Sequence, residues 1–194
     1  MADPAILSHH HGFDPVVVAS GHMTDTSGRA SARFPESAVA DVERSIDQQF
    51  SDWGVGEGAL VICGGARGAD LLAARVARRR GATVWVLLAR AAPRFLEGSV
   101  AGAAPGWADE FWALLARTPS WVLDPAEAEQ DPSDVYSIAN AWMLDVARAQ
   151  AGPAPVRLLA IWDGAPAPAP GGTAEMARRA QDAGAVLEII PPSP

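Results

Sequence analysis

Three glycine-bearing turns hold most of the residues whose types and spacing suit ligand chemistry. The first, CGGARGAD (63–70), closes a hydrophobic run and opens an alanine-rich one. Gly64, Gly65 and Gly68 permit positive φ and let a ligand approach the backbone. A helix starting there presents free N–H groups and a partial positive charge, which suits phosphate or carboxylate. Arg67 can add a bidentate charged hydrogen bond to such an anion. Asp70, one helical turn on, shares its face. It either pairs with Arg67, a contact worth about 0.2–0.5 kcal/mol when exposed, or supplies a carboxylate to the site.

The second turn, PGGTAE (170–175), brings Gly171, Gly172, Thr173 and Glu175 to a second helix start. Thr173 caps that helix or donates its hydroxyl to an oxyanion. Glu175 complements the helix dipole, or acts as a base or an acceptor for a ribose hydroxyl. In the third turn, SGH (20–22), Gly21 places His22 beside the same crevice. Asn140, in IANAWMLDVA, is unfavourable inside a helix and needs a partner: a base, a ribose or a neighbouring carbonyl. Trp142 and Met143 are expected in the core, and Trp162 either packs over a base or is buried.

Strands alternating with helices must position these turns. The periodicity predicts strands over 15–20, 59–63, 82–89, 120–124, 156–164 and 185–190. It predicts helices from 36 to about 53, 66–81, 107–117, 133–150 and 173–184, with a helical turn inside 93–106 and an acidic loop over 125–132. This order demands parallel strands with crossover helices on both faces: one Rossmann-like, doubly wound α/β domain over 15–190, with a flexible 1–14 and a tail at 191–194. In such a sheet ligands bind beyond the carboxyl ends of the strands. The turns are therefore expected to converge on one anion.

Composition narrows the function classes. The chain of 194 residues has a net charge of −8, which disfavours nucleic acid and anionic membranes as partners. It has no apolar run of about 18 residues and no signal-like start, so a cytoplasmic protein is expected. Its one cysteine, Cys63, excludes an internal disulfide and a thiolate zinc cluster. All 15 basic residues are arginine, so an anion must be held by Arg, His or backbone N–H groups, and lysine chemistry is excluded. His9, His10 and His11 are adjacent, but no second cluster completes a metal site. No cofactor is expected. The tryptophans of WADEFW (107–112) leave room for a homodimer through a helix face.

The stretches CGGARGADLLAARVARRRGATV, ANAWMLDVA and GGTAEMARRAQDAGAVLEII together resemble the SLOG superfamily of Rossmann-like proteins. That group includes the DNA-processing protein DprA, the Lonely guy enzymes and molybdenum-cofactor carriers. SGHMTD, RFP and WMLD are similar to a bacterial branch of it, and the resemblance covers about residues 15–190. It implies a nucleotide or nucleotide-derived ligand, bound by a sensor or carrier, with phosphate on the helix end at Gly171, Gly172 and Thr173. Lonely guy enzymes hydrolyse the N-glycosidic bond of nucleoside 5′-monophosphates, so a phosphoribohydrolase using Glu175 or Asp70 is the alternative. Their motif reads PGGxGTxxE, whereas this chain reads PGGTAEM, two residues shorter. A non-catalytic interaction scaffold is the third expectation.

Overall fold

The computed structural model describes residues 12–26, 28–29, 31–123, 132–166 and 171–192. Its elements are β1 (Val16–Gly21), α1 (Val39–Asp52, entered through a 3-10 turn at Glu36–Ala38), β2 (Leu60–Cys63), α2 (Ala69–Arg79) and β3 (Thr83–Leu88). There follow α3 (Ala92–Phe95, continued by a π turn at Leu96–Val100), α4 (Trp107–Leu115), β4 (Ser120–Val122), α5 (Pro132–Ala151), β5 (Arg157–Ile161), α6 (Thr173–Asp182) and β6 (Val186–Ile190). The tract His9–His11 and most of the expected acidic loop lie outside the described residues.

The six strands form one all-parallel sheet in the order β4-β3-β2-β1-β5-β6. Successive strands β1 to β4 spread to one side, and β5 returns to pair with β1 on the other. The order therefore reverses between β1 and β5, where an open α/β sheet forms its ligand crevice. Gly21 stands opposite Ile161 across that boundary. A Cβ on Gly21 would lie 2.4 Å from the Ile161 carbonyl oxygen, so glycine is required for the two strands to end side by side.

The period of two along each strand divides the core between the faces. Val17, Ala19, Val61, Val84 and Leu159 pack against α1, α2 and α4, through Ile46, Phe50, Leu72 and Phe111. Val16, Val18, Leu60, Trp85 and Leu158 face the other way, onto Met143 and Ala147 of α5 and Met176 and Ala180 of α6. The central strands are buried on both faces, which is why they read as continuous apolar runs. Cys63 ends β2 fully buried, and burial pushes its thiol well above the ordinary range. Among the described residues, no helix is long and apolar enough to cross a membrane.

α2 begins at Ala69, three residues later than the periodicity suggests. Residues 64–68 instead form a turn in which Gly65 and Gly68 have φ of 85° and 82°. At Gly68 an added Cβ would lie 2.8 Å from both the His22 carbonyl oxygen and the Thr24 amide nitrogen. This glycine lets the segment after β1 rest directly on the start of α2.

Candidate ligand cleft

A cleft of about 410 Å³ opens at the carboxyl ends of the strands and draws on all three glycine turns. Gly21, His22, Gly64, Arg67, Asp70, Asn140, Gly171, Gly172 and Thr173 line it. Gly65 and Gly68 do not line it; they shape the turn behind it. Glu175 is also absent from its walls. Leu87, Phe95, Met143 and Trp162 supply an apolar lining suited to a ring system.

The turn after β2 is already occupied by a carboxylate of its own. Asp70 Oδ2 accepts the backbone N–H groups of Gly64 (3.0 Å) and Ala66 (3.3 Å). Burial pushes the Asp70 carboxyl up to about 7, against the downward pull of the N–H groups of Ala66, Gly64 and Gly65. Arg67 does not pair with it. Arg67 precedes α2, and its Nε and Nη1 donate to the carbonyls of Thr24 (3.0 Å) and Ala101 (2.9 Å). The two residues thus flank the cleft without neutralising each other.

The start of α6 is arranged differently. Gly172 is the N-cap, and no side chain among the described residues caps it; Thr173 is the first helical residue, not the cap. The Glu175 carboxylate clamps the turn from outside. Its Oε1 accepts from Ser137 Oγ (2.6 Å) and Arg179 Nε (2.7 Å), and its Oε2 from the Gly171 N–H (2.5 Å). Burial alone would raise the Glu175 pKa, but the bonds from Ser137, Gly171 and Arg179 prevail and hold it at about 2. Asn140 finds a backbone partner, donating Nδ2 to the Gly171 carbonyl at 3.1 Å. Glu175→Gln is expected to cost about 2 kcal/mol in urea denaturation at pH 7, because charge-assisted bonds are lost. The glutamate's advantage is fully present above its ordinary pKa of about 4.3. The gap between wild type and variant should close as the pH falls toward about 2. A constant gap across that range would contradict the clamp.

At the strand-order reversal, His22 follows β1 and Asp163 follows β5. His22 Nε2 lies 3.0 Å from Asp163 Oδ1 and 3.0 Å from Arg33 Nη2. Arg33 also donates Nε to Asp163 Oδ2 at 2.8 Å. Burial lowers the His22 pKa, so the ring is neutral at pH 7, with Asp163 pulling the other way. Arg33 only donates and Oδ1 only accepts, so the tautomer decides which of them Nε2 engages. The Arg33 guanidinium, helped by His22, holds the Asp163 carboxyl far below the usual carboxylate range. This cluster fastens the segment after β1 to the end of β5.

Arg33, Asp163, Ser137, Tyr136 and Arg179 are not singled out by the sequence. Arg33 and Asp163 are 130 positions apart, and no local pattern links them. Ser137 lies on α5 near Asn140; only the position of both near the start of one helix could have flagged it.

Searches find no matching protein-family model and no matching curated protein. Among solved structures, the chain is similar to DNA processing protein A (DprA) from Streptococcus pneumoniae, at 16% identity and a TM-score of 0.49. That match covers 97% of this chain and 53% of the DprA chain, so this chain spans about half the length of DprA. It is also similar to the Moco carrier protein from Chlamydomonas reinhardtii, at 12% identity and a TM-score of 0.36, over 90% of this chain and 88% of that one. The chain's own six-stranded parallel sheet, with helices packed on both faces, is a Rossmann-like α/β fold.

Proposed function

We propose that the cleft binds a nucleotide-type small molecule and that the protein acts as its sensor or carrier. The observation that carries this reading is the convergence of the turns after β1, after β2 and before α6 on one cleft at the strand-order reversal. Its volume lies toward the lower end of the ~300–1,000 Å³ range of small-molecule sites. The uncapped start of α6 offers N–H groups and a positive dipole end to a phosphate. The apolar walls take the base.

Gly172→Asp tests the reading. Gly172 has φ −84° and ψ 176°, extended backbone open to any residue, and aspartate is a preferred N-cap. The variant should therefore keep or slightly raise its melting temperature. Its carboxylate would occupy the anion end, and calorimetric binding of a nucleoside 5′-monophosphate should fall by at least about tenfold. Undiminished binding would exclude the α6 start as the phosphate seat.

A second reading, hydrolysis of the N-glycosidic bond, is favoured by one observation: Asp70 lines the cleft with a carboxyl at about 7. Such a group can exchange a proton with water at neutral pH. This reading requires free base to accumulate when a nucleoside monophosphate is incubated with the protein, and its release to stop in Asp70→Asn. Glu175, engaged by three donors outside the cleft, does not serve that reading.

A further inference from the structure

Arg67 carries a positive charge into the protein at 5% exposure. Buried charges are ordinarily paired, because an uncompensated ion out of water is strongly unfavourable. Among the described residues no carboxylate oxygen lies within 4.0 Å of its guanidinium; Asp25 and Glu36 attract it only from farther away. The carbonyls of Thr24 and Ala101 fix the plane of the group but leave its charge in place. Beside it, Thr24 is fully buried, and its Oγ1 has no hydrogen-bond partner among the described residues. Both residues line the cleft. A buried cation with no counter-ion in contact and a buried hydroxyl with no described partner therefore meet at one end of the cleft.

This end belongs to the turn after β2, the other to the turn before α6, and Tyr136 reaches from one turn toward the other. A Cβ built on Gly171 would lie 2.5 Å from Tyr136 Cβ, while the Tyr136 hydroxyl lies 2.9 Å from Ser99 Oγ. Ser99 in turn accepts the Arg67 backbone N–H on its carbonyl at 3.1 Å. A chain of contacts through Tyr136 and Ser99 thus links the turn before α6 to the Arg67 backbone.

We propose that Arg67 and Thr24 form a second anion subsite, so that the ligand of the cleft carries two separated anionic groups, as a nucleoside bisphosphate does. One group sits on the start of α6 and the other on the Arg67 guanidinium, with the Thr24 hydroxyl donating to it. The proposal rests on the nucleotide reading above and names the ligand class within it.

Calorimetry with adenosine 5′-monophosphate and adenosine 3′,5′-bisphosphate tests it on the full chain. Wild type should bind the bisphosphate at least about tenfold more tightly, the scale of one charge-assisted contact. Arg67→Gln should erase that preference. Because Arg67 also holds two loops, Thr24→Val provides an independent arm. It is nearly isosteric and removes an unpartnered hydroxyl, so the ligand-free melting temperature should hold or rise while the preference for the bisphosphate shrinks several-fold. A purely structural Thr24 would not separate these two readouts. Equal affinity of wild type for both nucleotides, or a preference kept in both variants, overturns the second subsite. Monophosphate binding without preference leaves the α6 reading intact; failure of both nucleotides to bind overturns that reading and this proposal together.

Discussion

Replacing Gly171 by alanine is expected to lower the melting temperature by roughly 6–12 °C, the equivalent of about 3 kcal/mol in a chain of this size. Two effects add. The residue has φ 80°, a conformation that costs an L-residue about 1 kcal/mol or more. The new Cβ would also lie 2.5 Å from Tyr136 Cβ and 2.9 Å from the Ser137 amide nitrogen, and relieving such overpacking costs about 1–3 kcal/mol. Neither contact is the far end of a flexible side chain, so α5 or the turn must move. The Gly171 carbonyl and N–H, held by Asn140 and Glu175, would move with it and tilt the start of α6. Under the proposed function, nucleotide binding should weaken in parallel. Gly184→Ala is the control: φ is 76° but nothing lies within 4 Å, so only the conformational cost of about 1 kcal/mol remains. Equal melting temperatures for the two variants would refute the contact argument.

Asp70→Asn is expected to change the pH dependence of stability more than any other single substitution in the cleft. Burial raises the folded-state pKa of Asp70 to about 7. The unfolded chain releases the same proton near pH 3.9. Between those values the folded protein binds more protons than the unfolded one, so stability falls as the pH rises, by up to about 1.4 kcal/mol per unit. The whole swing is on the order of 4 kcal/mol from pH 4 to pH 8. Asparagine keeps an oxygen for the N–H groups of Gly64 and Ala66 but carries no titrating proton. The variant should therefore gain on wild type steadily as the pH is raised through this window, measured by urea denaturation at each pH. Parallel stability curves would mean that the turn's N–H groups hold Asp70 ionised throughout.

The sheet was legible because burial on both faces writes each central strand as an unbroken apolar run. The turns were legible because glycine at a sheet's carboxyl edge has few other uses, and Gly21, Gly64, Gly171 and Gly172 do line one cleft. What individual side chains do inside those turns was not legible. Arg67 and Asp70 stand three positions apart and read as a helical pair, yet α2 starts between them, at Ala69. Their partners, the Thr24 and Ala101 carbonyls and the Gly64 and Ala66 amides, are backbone groups that no residue pattern announces. Glu175 shows the same limit. Its place in the first turn of α6 suited either a base or a dipole partner, and the outcome depended on Ser137, 38 positions away. The His22, Arg33 and Asp163 cluster required the β1–β5 pairing, which only the strand order reveals.

The full burial of Cys63 has a practical side. The chain has no lysine, and its one cysteine is sealed at the end of β2 beneath the cleft with its thiolate form disfavoured. Maleimides and iodoacetamides should leave the native protein unmodified, and no side-chain amine competes for acylating dyes. A single cysteine introduced at exposed Met23, on the cleft rim, would accept one fluorophore without any background substitution. The molecule is therefore already suited to optical titration with candidate ligands, and labelling of the parent protein by a thiol reagent would report that β2 opens.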